Sequence, residues 1–103
     1  MMGKRQLIEI GDETFRSQAE ARERFRGILY KYALNQTVDE ADDRFLRLAL
    51  QRHPESAVKV GPGIKRFEVR SADYNTRCFW VIRVDDTVER FSFKECYRPH
   101  PEP

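Results

Sequence analysis

The run from Arg77 to Cys96, RCFWVIRVDDTVERFSFKEC, constrains this chain more than any other segment, because two stretches rich in Val, Ile, Phe and Trp flank an aspartate pair. Apolar, β-branched runs joined by a short turn are the strongest local sign of a β-hairpin. With Asp85-Asp86 as a two-residue loop, Val84 faces Thr87 and pairing runs outward as Ile82 with Glu89, Trp80 with Phe91 and Cys78 with Phe93. Side chains alternate along a strand, so this register puts Cys78, Trp80, Ile82, Phe91 and Phe93 on a core face. The opposite face then carries Arg77, Phe79, Val81, Arg83, Arg90, Ser92 and Lys94. A three-residue loop, Asp85 to Thr87, is the competitor: it pairs Phe79 with Phe93, Val81 with Phe91, Arg83 with Glu89 and Arg77 with Glu95, and buries the other aromatics. The preceding strand, Ile64 to Arg70, favours the shorter loop. Joined through the polar stretch Ser71 to Thr76, it pairs Val69 with Cys78 and Phe67 with Trp80, so three strands share one apolar face.

At 103 residues the chain is long enough to bury about 60 to 70 per cent of its unfolded surface, which suffices for one core without staples. The expected organisation is a single domain over residues 1–98 and a disordered tail over 99–103. A hydrophobic fraction of 40% with 35% charged residues describes a folded, heavily charged chain and excludes a disordered one. No run approaches the roughly 20 apolar residues of a membrane helix, and Met1 to Arg5 lead straight into QLIEIGDETF, so neither a signal nor a transit peptide is expected. A cytoplasmic monomer is the expected setting. Cys78 and Cys96 fall out of step in the favoured register and are read as free thiols.

Before the hairpin the order is a short strand, two helices and a helical turn. Leu7 to Ile10 reads as a strand, Gly11 to Glu13 as a turn and Thr14-Phe15 as its return. Ser17 with Glu20 forms a capping box ahead of Ala21, Phe25, Ile28, Leu29 and Tyr32, whose spacing predicts a helix to about Leu34. Thr37 with Glu40 reads as a second box, and Phe45, Leu46, Ala49 and Leu50 supply a stripe up to His53-Pro54. The acids Asp39, Glu40, Asp42 and Asp43 match the dipole at that helix start. Pro54 ends the helix and opens a turn, Glu55 to Val60, before Gly61-Pro62-Gly63. The fold class expected is α+β: a mainly antiparallel sheet of three C-terminal strands plus the short N-terminal strand or hairpin, with two helices and the helical turn on one face.

The phrases RHPESAVKVGPGI (Arg52 to Ile64), FEVR (Phe67 to Arg70), RCFWVIRVD (Arg77 to Asp85) and FSFKEC (Phe91 to Cys96) resemble the small domain family named after the plant "defective chloroplasts and leaves" protein, which includes stand-alone bacterial members of unknown function. With Phe15, Ala21, Phe25 and Ile28-Leu29 the resemblance spans about Phe15 to Cys96. It implies a link to maturation of ribosomal RNA, or to a plant-specific RNA polymerase, and the family has no established catalytic residues to carry over. The chain departs from the family in having Asp85-Asp86 where Asp-Gly is usual, and Glu95 where a basic residue commonly precedes the second cysteine.

In the favoured register the outer sheet face collects Arg66, Arg70, Arg77, Arg83, Arg90 and Lys94 around Phe79 and Val81, with Glu68 as its acid. This local excess is hidden by a formal net charge of +2. Guanidiniums contact phosphates and stack on bases, and an exposed ring offers a platform for an unpaired base, so single-stranded or looped RNA suits this surface. The alternative covers the face with the N-terminal hairpin and pairs the arginines with Glu9, Asp12 and Glu13. His53, Cys78, Cys96 and His100 lack metal-ligand spacing, so neither a metal nor a cofactor is expected. A Cys96–His53 pair would need tertiary folding to meet, and His53 reads better as a cap at the break before Pro54. Lys59 to Gly63 lacks the sequence and context of a phosphate-binding loop. The expected function is a small non-enzymatic RNA-binding or RNA-processing accessory module; a protein-interaction module docking on a ribosome-maturation or transcription complex is the alternative. A hydrolase is a third reading.

Overall fold

The computed structural model describes residues 7–98; the expected tail at 99–103 and the residues before Leu7 lie outside them. Two sheets and four helices form an α+β fold. β1 (Ile8–Ile10) and β2 (Glu13–Phe15) make a hairpin through Gly11, whose φ of 63° is the left-handed backbone a tight reversal requires. α1 (Gln18–Leu29) follows, then β3 (Gln36–Thr37), α2 (Glu40–Leu50), α3 (Ser56–Val60), β4 (Ile64–Ser71), β5 (Arg77–Arg83), β6 (Val88–Phe91) and α4 (Lys94–Tyr97). The larger sheet has the order β3-β4-β5-β6, antiparallel throughout. The N-terminal hairpin does not join it and packs on α1 and α2.

Local chemistry sets the helix starts. Ser17 Oγ accepts the Glu20 N–H at 3.1 Å, the cap expected, while Glu20 Oε1 accepts the N–H of Arg16, one residue before the cap, at 2.9 Å, so the reciprocal half of the box is shifted by one residue. Asp39, not Thr37, caps α2, accepting the Asp42 N–H at 2.9 Å. Thr37 is instead drawn into the sheet opposite Glu68, and the Val38 N–H donates to Phe67 O. α1 stops at Leu29, short of Leu34, because Asn35 turns at φ 70° and donates its N–H to Val69 O. α2 stops at Leu50 ahead of Pro54, and His53 works there as a cap, its Nδ1 accepting the Glu55 N–H at 2.9 Å. The two long helices are tied where they meet. Tyr32 donates its hydroxyl to buried Asp42 at 2.6 Å and accepts the Asp39 N–H at 2.9 Å.

The helices cover one face of the sheet. Ala21, Phe25, Ile28, Leu29, Tyr32, Phe45, Leu46, Ala49 and Leu50 are buried, as the helical spacing predicts, and they meet Phe67, Val69, Phe79, Val81 and Phe91 from β4 to β6. Rings knit the layers: Phe25 stacks on Phe93 at 5.3 Å, and Phe79 stacks on Phe91 at 5.8 Å. The segment after Ser92 is not strand. It turns into α4, whose Cys96 and Tyr97 are buried.

The favoured hairpin register is overturned. Phe79 pairs with Phe91, Trp80 with Arg90, Val81 with Glu89 and Ile82 with Val88, one step from the expected pairing. The loop is Val84 to Asp86, closed by the Arg83 N–H to Thr87 O and the Asp86 N–H to Arg83 O. Asp86 sits at φ 69°, so the turn is the three-residue kind with a left-handed last residue. On the other side, Ile64 pairs with Arg83 in the expected step, but a bulge at Lys65 shifts the rest, so Val69 meets Phe79 and Phe67 meets Val81. Phe67, Val69 and Phe91 keep their expected facing and β5 alone is turned over. The competing longer loop chose the correct face of β5 but placed its partners two positions too far along β6. Phe79 and Val81, being fully buried, belong to the core.

Candidate nucleic-acid interface

Turning β5 over splits the basic surface read from the sequence. Arg66 and Arg70 on β4 and Arg90 on β6 stay on the face away from the helices. Arg77, Phe79 and Arg83 do not. Phe79 is a core ring rather than an exposed platform. Arg77 Nη1 donates to Leu29 O at 3.1 Å and to Tyr32 O at 2.5 Å, its guanidinium lying 5.2 Å from the Tyr30 ring. Arg83 donates to Val58 O at 2.8 Å and Lys59 O at 3.2 Å, and its side chain is 14% exposed. Both arginines stand at the ends of β5 and neutralise carbonyls at the C-terminal ends of helices, where cations are favoured. They are structural. Gly61, at φ 56°, permits this for Arg83, since a Cβ there would come within 2.9 Å of its Nε. Lys94 lies apart, exposed on α4.

What the outer face holds in place of Phe79 is Trp80, the chain's one tryptophan. A single row crosses all four strands: Thr37, Glu68, Trp80 and Arg90 are successive partners. Beside it, Arg66 pairs with Ile82 and Arg70 with Cys78. Trp80 is partly buried, with the Arg70 guanidinium 5.8 Å from its ring centroid. Its Nε1–H is buried without a hydrogen-bond partner among the described residues.

Glu68 organises the cations. It is buried to 6% exposure on a solvent-side position because Arg66 Nε, at 2.7 Å, and Arg70 Nε, at 2.9 Å, each donate to one of its oxygens. Burial alone would push its carboxyl up; the two guanidiniums outweigh that and hold it below the ordinary range. The clamp fixes both arginines on the face that carries Trp80. Arg90 reaches Asp73 at 3.4 Å across an exposed pair, which binds weakly. Among the described residues the salt bridges to Glu9, Asp12 and Glu13 that the alternative called for do not form around this face; Glu13 holds Arg24 instead.

Cys78 and Cys96 are free thiols, as expected, but Cys78 does not point into the core. Cys78 faces outward with β5 and is half-buried, its Sγ donating to Phe91 O at 3.4 Å, whereas Cys96 is fully buried. Burial pushes both up, Cys96 to about 12, so neither has the depressed value of an activated nucleophile. Among the described residues no group of His, Cys, Asp and Glu could hold a metal ion, and no helix is long and apolar enough to cross a membrane. Trp80 was missed as a site residue because FWVI is apolar on both faces; the Asp86 position was the available signal, since a left-handed residue there sets the loop length.

A family model described as "Protein of unknown function (DUF3223)" matches residues 26–97, which hold the whole outer face. The chain belongs to that family. It is 39% identical over 70 residues to DNA-directed RNA polymerase IV subunit 1 of Arabidopsis thaliana, a match covering 67% of this chain and 5% of the subunit. It is 44% identical over 52 residues to Protein EMBRYO DEFECTIVE 514 of the same plant, covering 50% of this chain and 26% of that protein. The chain thus corresponds to a small part of each plant protein. The solution NMR structure of an uncharacterized protein from Rhodospirillum rubrum superposes with a TM-score of 0.85 at 46% identity, over 92% of this chain and 91% of the other, and supports the α+β fold.

Proposed function

We propose that the family member described here is a non-enzymatic RNA-binding module and that the Trp80 face binds unpaired RNA. The carrying observation is the partly buried Trp80, with the Arg70 guanidinium 5.8 Å from its ring centroid and Arg66 and Arg90 on the neighbouring strands, on the sheet face turned away from the helix-packed core. A flat ring among guanidiniums stacks a base and neutralises its phosphates, and every base has a π-face, so the surface suits single strands with little sequence preference. The resemblance to the "defective chloroplasts and leaves" family, with its link to ribosomal RNA maturation, supports an accessory role in RNA processing. Docking of the module on a transcription complex is the second reading, favoured by the polymerase subunit among the relatives.

Fluorescence anisotropy with a labelled single-stranded RNA tests the first. Trp80→Ala should weaken binding by roughly 5- to 150-fold, the loss of one base–aromatic stack worth about 1 to 3 kcal/mol. Arg66→Glu with Arg90→Glu should weaken it further and flatten its salt dependence by about 0.7 in log–log slope for each phosphate no longer neutralised. Unchanged affinity in both variants would overturn the reading.

A further inference from the structure

β6 stops at Phe91 and the chain leaves through Ser92 into α4. Arg77 and Cys78, which open β5, therefore have no ladder partner on β6 among the described residues, and a notch of about 250 Å3 lies beside them. Its lining is of two kinds. Phe91 and Tyr97 are buried and Cys78 and Phe93 half-buried, whereas Arg22 and Lys94 are exposed. An adjoining cleft of about 320 Å3 shares Arg22, Lys94 and Tyr97 and adds Arg98. Among the described residues no carboxylate lines either space. Arg22 pairs with Glu23 at 3.8 Å and Arg98 with Glu95 at 2.9 Å, but these are surface pairs that a phosphate can displace.

Volume and chemistry together select the occupant. Sites for drug-sized molecules begin at roughly 300 Å3, so the notch suits one ring, and its aromatic lining suits a flat one. The cations beside it suit the anion attached to that ring. We propose that the notch takes a single unpaired nucleobase of a bound RNA strand, with the flanking phosphates on Arg22, Lys94 and Arg98; this rests on the RNA-binding reading above. The notch joins that surface through Cys78, which neighbours Arg70 across the strands and lines the notch as well. Ala72 and Thr76 line it from the β4–β5 loop, and between them Tyr74 is 96% exposed. Its φ of 60° is a left-handed backbone that a bulky residue adopts only at a cost, and strain of this kind gathers at binding sites.

Nitrogen-15 NMR of the full chain, titrated in turn with a short oligouridylate, uridine monophosphate and inorganic phosphate, separates the possibilities. The Trp80 indole N–H reports the outer face, and the Ser92, Phe93 and Lys94 amides report the notch. The expected result is that the oligonucleotide moves both sets. Arg22→Glu with Lys94→Glu, both exposed positions whose folding the same spectra verify, should abolish the notch shifts and weaken oligonucleotide binding about tenfold or more. Movement of Trp80 without the notch would overturn the notch and leave the RNA-binding face standing. Notch shifts without Trp80 would support the notch and remove the outer face. Equal notch shifts from inorganic phosphate and the nucleotide would reduce the notch to an anion site and overturn its base specificity. No response to the oligonucleotide at either place would remove both readings.

Discussion

Phe79→Ala should cost about 3 to 5 kcal/mol, while Trp80→Phe should change stability by no more than about 1 kcal/mol in either direction. Phe79 is fully buried, stacked on Phe91 at 5.8 Å and edge-on to Phe93 at 6.0 Å. Burial of a phenyl group is worth about 1.5 to 3 kcal/mol. The void left by alanine adds about 24 cal/mol per Å3, so a residual cavity of roughly 80 Å3 adds about 2 kcal/mol. Trp80→Phe retains a ring on the outer face and deletes the unpartnered Nε1–H, whose burial costs about 1 to 3 kcal/mol; that gain offsets the smaller apolar area of the phenyl ring. Urea unfolding followed by far-ultraviolet circular dichroism measures both without relying on Trp80 fluorescence. In heating experiments a 4 kcal/mol loss corresponds to a fall in Tm of roughly 15 to 30 °C. Trp80→Ala should fall between the two, because the ring is only partly buried. If Trp80→Ala proved more damaging than Phe79→Ala, β5 would face the other way and the outer platform would be lost.

Thiol labelling at neutral pH should modify Cys78 slowly and Cys96 only on unfolding, and equal rates in the folded protein would contradict the burial of Cys96. For Glu68 the folded carboxyl lies below its ordinary value of 4.5, so its stabilising contribution is complete above that pH and is lost as pH falls through the lower, folded value. Urea midpoints taken as a function of pH should therefore drop more steeply on the acid side in the unmodified protein than in Glu68→Gln; identical acid limbs would remove the clamp from the account. Arg77→Ala should destabilise by about 2 to 3 kcal/mol because the carbonyls of Leu29 and Tyr32 lose a charged donor, while Arg90→Ala stays within about 0.5 kcal/mol. Matching small effects for the two would deny Arg77 its structural role. Asp86→Gly should stabilise by about 0.5 to 1 kcal/mol, since glycine adopts φ 69° without penalty, and a lower urea midpoint would refute that.

Local chemistry determined much of this protein before any tertiary contact was considered. Ser17 and Glu20 mark the start of α1, the stripe from Phe45 to Leu50 marks the buried side of α2, and Phe67, Val69 and Phe91 show their facing because charged residues alternate with them. In β5 that alternation is missing: Phe79, Trp80, Val81 and Ile82 are apolar in succession, so neither face is preferred by composition. The choice fell to the bulge at Lys65 and the left-handed Asp86, two backbone irregularities of one residue each, and a one-residue slip exchanges every side chain of a strand. Tertiary structure thereby decided that Arg77 and Arg83 cap helices while Arg66, Arg70 and Arg90 gather around Trp80. It also decided that Thr37 pairs in the sheet rather than capping a helix, and that FSFKEC bends into α4 after Ser92 to bury Cys96 and Tyr97, because those long-range partners are invisible along the chain and outweigh local preference only once the layers meet.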